Sequence, residues 1–165
     1  MQSKSTTPTR QHLIAWAAGF IDGEGSVLID RYPRRRSRAV KPRELPQRTR
    51  YTLSVSAVQV KIAPLLRLQG LFGGNLNLKR RPEGSSHQDV FRWQVVCSAA
   101  ADMLRETIPF LMVKAEAAQI ALEFQAMMGP HRVGYRLGPG EQEARDAKYQ
   151  RLRAVNRVGR RDLAH

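Results

Sequence analysis

The sequence predicts an α+β domain built on an antiparallel sheet with helices packed against one of its faces. Three observations carry that expectation. Tyr51 to Val58 and Gln88 to Cys97 alternate apolar and polar residues at the strand period, whereas Lys61 to Phe72 carries apolar residues at helical spacing. Glycine and proline punctuate these runs, so the elements follow as helix, two strands, helix, two strands and further helices, all within 165 residues.

The first helix is expected to start with Thr7 as cap and Pro8 at its first position. Its run Leu13 to Ile21 is apolar nearly all round, which predicts a buried helix ended by Gly23 and Gly25. Ser26 to Tyr32 then reads as a strand entering a basic stretch, Arg31 to Arg50, whose three prolines make it a loop or ragged strand ends. In the second strand Tyr51, Leu53, Val55 and Ala57 form an apolar face, and Thr52, Ser54, Ser56 and Val58 a wettable one. The helix Lys61 to Phe72 stops at Gly73-Gly74, and Asn75 to Arg81 alternates as a third strand. In the fourth strand Phe91, Trp93 and Val95 oppose Val90, Arg92 and Gln94. Ser98 is expected to cap a helix to about Ile108, Pro109 to interrupt it, and Val113 to Met128 to form a long helix stopped by Gly129-Pro130. Glu141 to Asn156 reads as a last, charged helix. The expectation is one domain over residues 1–165, with a core at about 8–156 and a short basic tail.

Charge narrows the partners. The chain carries 28 lysines and arginines against 14 acidic residues, a net +14 that favours a polyanion. No stretch approaches the roughly 20 apolar residues of a membrane span, so nucleic acid is preferred to a membrane. Cys97 is the single cysteine, which excludes an intrachain disulfide, and the first residues lack the apolar core of a secretory signal. An intracellular, reducing location is therefore expected, with a bacterial cytoplasm and an organelle equally compatible. His12, His87, His131 and His165 lack ligand spacing and no phosphate-binding glycine loop occurs, which argues against zinc chemistry and nucleotide hydrolysis.

The polar sheet face has the chemistry of a base reader. It offers Asp30, Arg34, Arg50, Thr52, Ser54, Ser56, Asn77, Lys79, Arg81, Arg92 and Gln94, and the DNA-facing set is completed by Ser26, Leu28, Tyr32 and Arg36. Arginine and lysine suit guanine, asparagine and glutamine suit adenine, and a β-ribbon fits the major groove. A solvated sheet face is the plain alternative. The stretch Arg31 to Arg50 tips the balance, because it holds nine basic residues against the single Glu44 and so suits phosphate contact. A strand of about eight residues spans about eight base pairs, so one subunit would read half of a long site.

Glu24 is the most informative residue. It lies at the end of a helix, where the macrodipole is negative and a carboxylate unfavourable. A hard divalent ion held by carboxylate and carbonyl oxygens would offset that cost. Residues Trp16 to Gly25, WAAGFIDGEG, resemble the LAGLIDADG motif of homing endonucleases. VQVKIAPLLRLQGLFGG resembles the family's strand, helix and glycine segment, and IPFLMVKAEAAQ its later helix junction. The chain departs from the common pattern in Ala17 for Leu, Glu24 for Asp, and Val60-Lys61 in place of a basic-acidic pair.

The resemblance implies the LAGLIDADG fold, a saddle-shaped sheet, and a homodimer that cuts both strands of a pseudo-palindromic double-stranded DNA site, promoting mobility of a host intron or intein. It implies that Glu24 and the Gly23 carbonyl hold Mg2+ or Mn2+, with Ca2+ supporting binding without cleavage. It implies that Gln59 positions the attacking water and that Lys114 stabilises developing phosphate charge. Ala15, Ala18 and Gly19 would line the dimer interface, with Asp22 at the helix end. Two alternatives on the same fold are a maturase binding group I intron RNA and a DNA-binding regulator without cleavage. A generic basic RNA-binding protein, such as a ribosomal component, is a third.

Overall fold

The computed structural model describes residues 7–33, 49–80, 88–129 and 138–161. Their elements are α1 (Arg10–Glu24), β1 (Gly25–Pro33), β2 (Thr49–Gln59), α2 (Ala63–Phe72), β3 (Asn75–Lys79), β4 (Val90–Val96), α3 (Cys97–Thr107), a 3-10 turn (Ile108–Phe110), α4 (Ala115–Ala126) and α5 (Pro139–Arg161). The four strands form one sheet in the order β1-β2-β4-β3, with every neighbouring pair antiparallel.

Alternation decides which sheet face is covered. Val27, Ile29, Tyr51, Leu53, Val55, Ala57, Trp93 and Val95 are all buried, and they join buried residues of all five helices in one core. The helices therefore share one sheet face, and the other carries the polar residues. The α+β expectation and the order of elements hold.

Several boundaries move, for local reasons. The cap of α1 is Thr9, not Thr7: its hydroxyl accepts from the His12 N–H at 3.4 Å while its own N–H donates to His12 Nδ1 at 3.2 Å. That reciprocal pair leaves Pro8 outside the helix. Helix α1 is also not buried all round, because Gly19 and Gly23 are exposed while Ile14, Ala17, Ala18 and Ile21 face the core. Helix α2 begins two residues later than Lys61, with Pro64 in its first turn. Ser98 does not cap α3; Val96 occupies the cap position without a side-chain hydrogen bond, and Cys97 takes φ +56°. Helix α4 runs from Ala115 to Ala126, two residues short of each expected end, and α5 starts two residues before and ends five residues after its expected bounds. The expected loop in Arg31 to Arg50 falls mostly on residues 34–48, outside the described residues.

Two glycine junctions fix the sheet against its helices. A Cβ on Gly25 would lie 2.8 Å from the backbone of Ile21, so only glycine lets β1 leave α1 so closely. Gly74, at φ +90°, passes within 2.6 Å of the Gln94 carbonyl measured from its would-be Cβ, and Trp93 Nε1 donates to Gly73 O at 2.8 Å. The end of α2 is thereby pinned to β4. Helix α5 supplies Asn156, whose amide donates to Val27 O of β1 at 3.0 Å, and Asp146, which accepts from the hydroxyl of Tyr51 on β2 at 2.6 Å.

Candidate catalytic centre and nucleic-acid interface

The centre is built where α1 ends and α4 begins. Asp22 Oδ2 accepts the backbone N–H groups of Met112 at 2.6 Å and Val113 at 3.2 Å, and Oδ1 accepts that of Lys114 at 2.9 Å. These donors lie in the turn that leads into α4, so Asp22 fixes that turn, and with it the position of Lys114, from another helix. In return the Lys114 ammonium donates to the Asp22 carbonyl oxygen. Burial pushes the Lys114 amine below its ordinary value, and attraction to Asp22 and Glu24 pulls it part of the way back. Lysine and motif helix are thus fastened through backbone atoms.

Glu24, two residues on, is exposed and has no hydrogen bond or ion pair among the described residues. Gly23 is exposed beside it, and its carbonyl belongs to the last turn of α1, which lacks intrahelical partners. Gln59 ends β2, and because Gly25 pairs with Ala57 it lies at the same end of the sheet as Glu24. Glu24, Gln59 and Lys114 therefore share one end of the fold. Carboxylate and carbonyl oxygens are the donors a hard divalent ion takes, so Glu24 and Gly23 fit one. Among the described residues no group of three or more His, Cys, Asp or Glu forms a metal cluster.

The polar face is ordered by register. Ser26, Ser56, Gln94 and Asn75 form one row across the sheet; Val58, Arg92 and Asn77 form the next. Ser26, Tyr32, Arg50, Asn77 and Lys79 are exposed, and Leu28, Asp30, Thr52, Arg92 and Gln94 are half-buried. Ser54 and Ser56 are corrected from contact residues to floor: they are 0% and 6% exposed, since a short hydroxyl on a central strand is overshadowed by its longer neighbours. Arg34, Arg36 and Arg81 lie outside the described residues. Asn75 and Val58 share this face but do not appear in the DNA-facing set, although the parity that selects Asn77 also selects Asn75.

The small residues of α1 divide. Ala18 is fully buried in its own protomer, which corrects its assignment to an exposed dimer seam. Ala15 is half-buried, and Gly19 and Gly23 are exposed, with nothing within 4 Å of a Cβ added at either glycine. Met112 and Val113, at 87% and 75% exposure, adjoin this strip through the Asp22 clamp.

No family model matches the sequence, and no curated protein does. Solved structures do match. The homing endonuclease I-CvuI in complex with its target superposes with a TM-score of 0.65 at 18% identity, over 88% of this chain and 83% of that one. The archaeal intron-encoded homing endonuclease I-Vdi141I, complexed with DNA, gives 0.64 at 16% identity over 86% and 82%. The LAGLIDADG homing endonuclease I-SmaMI, bound to cleaved DNA, gives 0.55 at 16% identity over 90% of this chain and 45% of its own.

This chain has the LAGLIDADG homing endonuclease fold.

Within the LAGLIDADG fold, α1 is the motif helix, and the acidic pair Asp22 and Glu24 divides its labour as the local geometry dictates. Asp22 turns inward to the start of α4, while Glu24 stays open to solvent. The LAGLIDADG fold seen here spans slightly under half of I-SmaMI but most of I-CvuI and I-Vdi141I.

Proposed function

We propose that the protein is a divalent-metal-dependent endonuclease that acts as a homodimer on a long, nearly symmetric double-stranded DNA site, promoting mobility of a host intron or intein. One observation carries the reading: an unpaired carboxylate, Glu24, stands at the end of a basic-rimmed sheet face with the Lys114 ammonium tethered beside it. That I-CvuI was solved on DNA with 2 mM Ca, and with 2 mM Mg with the DNA not cleaved, is consistent with divalent metal use by this fold.

Each residue then has a task. The sheet face lies in the major groove and the basic residues hold phosphates. Glu24 and the Gly23 carbonyl would hold Mg2+ or Mn2+, which when bound supplies charge stabilisation and a more acidic water at the scissile phosphate. Gln59 orients that water by hydrogen bonding, and Lys114 faces the charge developing on phosphate oxygens. Asp22 keeps Lys114 in place and touches no substrate.

Dimerisation is supported by the exposed glycines. Each glycine within a helix costs about 0.5–1 kcal/mol relative to alanine, and neither Gly19 nor Gly23 is required by packing within its own protomer. A second motif helix packed on this strip accounts for both, covers Met112 and Val113, and brings two Glu24 carboxylates together.

The test is to select bound sites from random DNA in Ca2+, then add Mg2+ to the native and Glu24→Gln proteins. Cleavage within one long near-palindrome by the native protein alone supports the reading. Tight binding without a cut would favour a DNA-binding regulator, and absence of a DNA site would favour a role on intron RNA. Sedimentation of Gly19→Leu should show a monomer where the native protein is a dimer.

A further inference from the structure

Asp30 is the one acidic residue on the outward face of the four strands among the described residues. A carboxylate turned toward a polyanion is repelled by it, so its presence there calls for a partner that donates a proton. The protein supplies half of what it needs. Ser54, fully buried at the floor of the face, donates its hydroxyl to Asp30 Oδ2 at 2.7 Å. That bond fixes the carboxylate and leaves Oδ1 without a hydrogen-bond donor or cation among the described residues. Register puts Asp30 opposite Thr52, with Ser54 on the same face one pair nearer the catalytic end.

The major groove offers two amino donors, cytosine N4 and adenine N6. Adenine N6 sits beside the N7 acceptor, whose lone pair repels a carboxylate, whereas cytosine presents only a C–H at the neighbouring position. On the reading of the protein as a DNA endonuclease, we infer that Asp30, held by Ser54, selects a C·G pair in each half-site. Six residues separate Asp30 from Glu24, and at about 3.3 Å each the pair lies roughly six base pairs from the scissile phosphate. Ser54 is a positioning residue: it touches no base and acts by fixing the carboxylate.

The experiment is selection from random DNA in Ca2+ with the native protein and the variants Asp30→Asn, Ser54→Ala and Ser54→Thr, comparing base preference position by position. The native protein should favour C·G at that position on the order of tenfold or more. Asp30→Asn should move the preference there to A·T, because an amide meets both adenine N6 and N7. Ser54→Ala should flatten that position alone, and Ser54→Thr, which restores the hydroxyl, should recover it. A native site without a C·G preference there, or an Asp30→Asn profile identical to the native one, overturns the inference and leaves the endonuclease reading standing. A native protein that selects no DNA site overturns both.

Discussion

Replacing the two motif acids separately should pull stability and catalysis apart. Asp22→Ala removes the acceptor of three backbone N–H groups, at 2.6, 2.9 and 3.2 Å. In the proposed dimer the partner helix covers Met112 and Val113 and would raise the cost, but in the free protomer both are exposed, so water can reach two of the three donors once the carboxylate is gone. Each bond then counts at the low end of its net value, about 0.5–1 kcal/mol, and the loss comes to about 2 kcal/mol. For a chain of this size that lowers the melting temperature by roughly 4–8 °C. Glu24→Gln breaks no hydrogen bond and relieves a negative charge at the negative end of α1, so its melt should match the native one or sit slightly above it. Cleavage should nevertheless vanish in Glu24→Gln. Thermal melts by circular dichroism in EDTA, at one fixed protein concentration, read the first effect, and cleavage of a selected site in Mg2+ reads the second. Equal destabilisation by both variants, or a native-like melt for Asp22→Ala, would refute the division of roles.

Other perturbations follow from single features. Cys97→Gly should raise stability by about 1 kcal/mol in urea titrations, because φ +56° is unfavourable for a residue with a Cβ and the thiol is exposed. Gly74→Ala should lose about 2 kcal/mol or more, since its Cβ would meet the Gln94 carbonyl at 2.6 Å, whereas Gly70→Ala, in open space on α2, should gain about 0.5–1 kcal/mol. Tyr51 is pushed up to about 12 by burial and by its bond to Asp146, outweighing the opposing pull of Arg31. The neutral phenol is therefore the form the fold prefers. Its contribution to stability is complete below pH 10 and fades as pH rises toward 12. Tyr51→Phe should flatten that part of the stability profile, and ultraviolet titration should show one of the four tyrosines ionising last.

Much of the fold was legible because it rests on short-range patterns. The alternation in Tyr51 to Val58 names the covered face of β2 without reference to any other strand, and Gly73-Gly74 marks the end of α2 by backbone conformation alone. The misreadings share a different origin. Ser54 and Ser56 follow the polar parity of their strand, yet their exposure depends on the height of residues on two neighbouring strands. Thr9 was passed over because histidine, rather than Glu or Gln, completes its capping box. Glu24 could be singled out from the charge at a helix end. The partners of Asp22 could not, since they lie ninety or more positions along the chain and nothing local marks Met112 or Val113 as donors. Ala18 was assigned by size, and size does not say which way a helix is turned.

The reciprocal fastening of Asp22 and Lys114 makes one lever of two parts. Any tilt that a partner helix imposes on the end of α1 moves the lysine with it, because the ammonium grips the main chain rather than a side chain that could swing away. In the proposed dimer, seating of the two halves and alignment of the reactive groups become a single mechanical event. A badly seated half would then have its lysine misaligned along with its glutamate, which would disfavour a single-strand cut before the second half has docked.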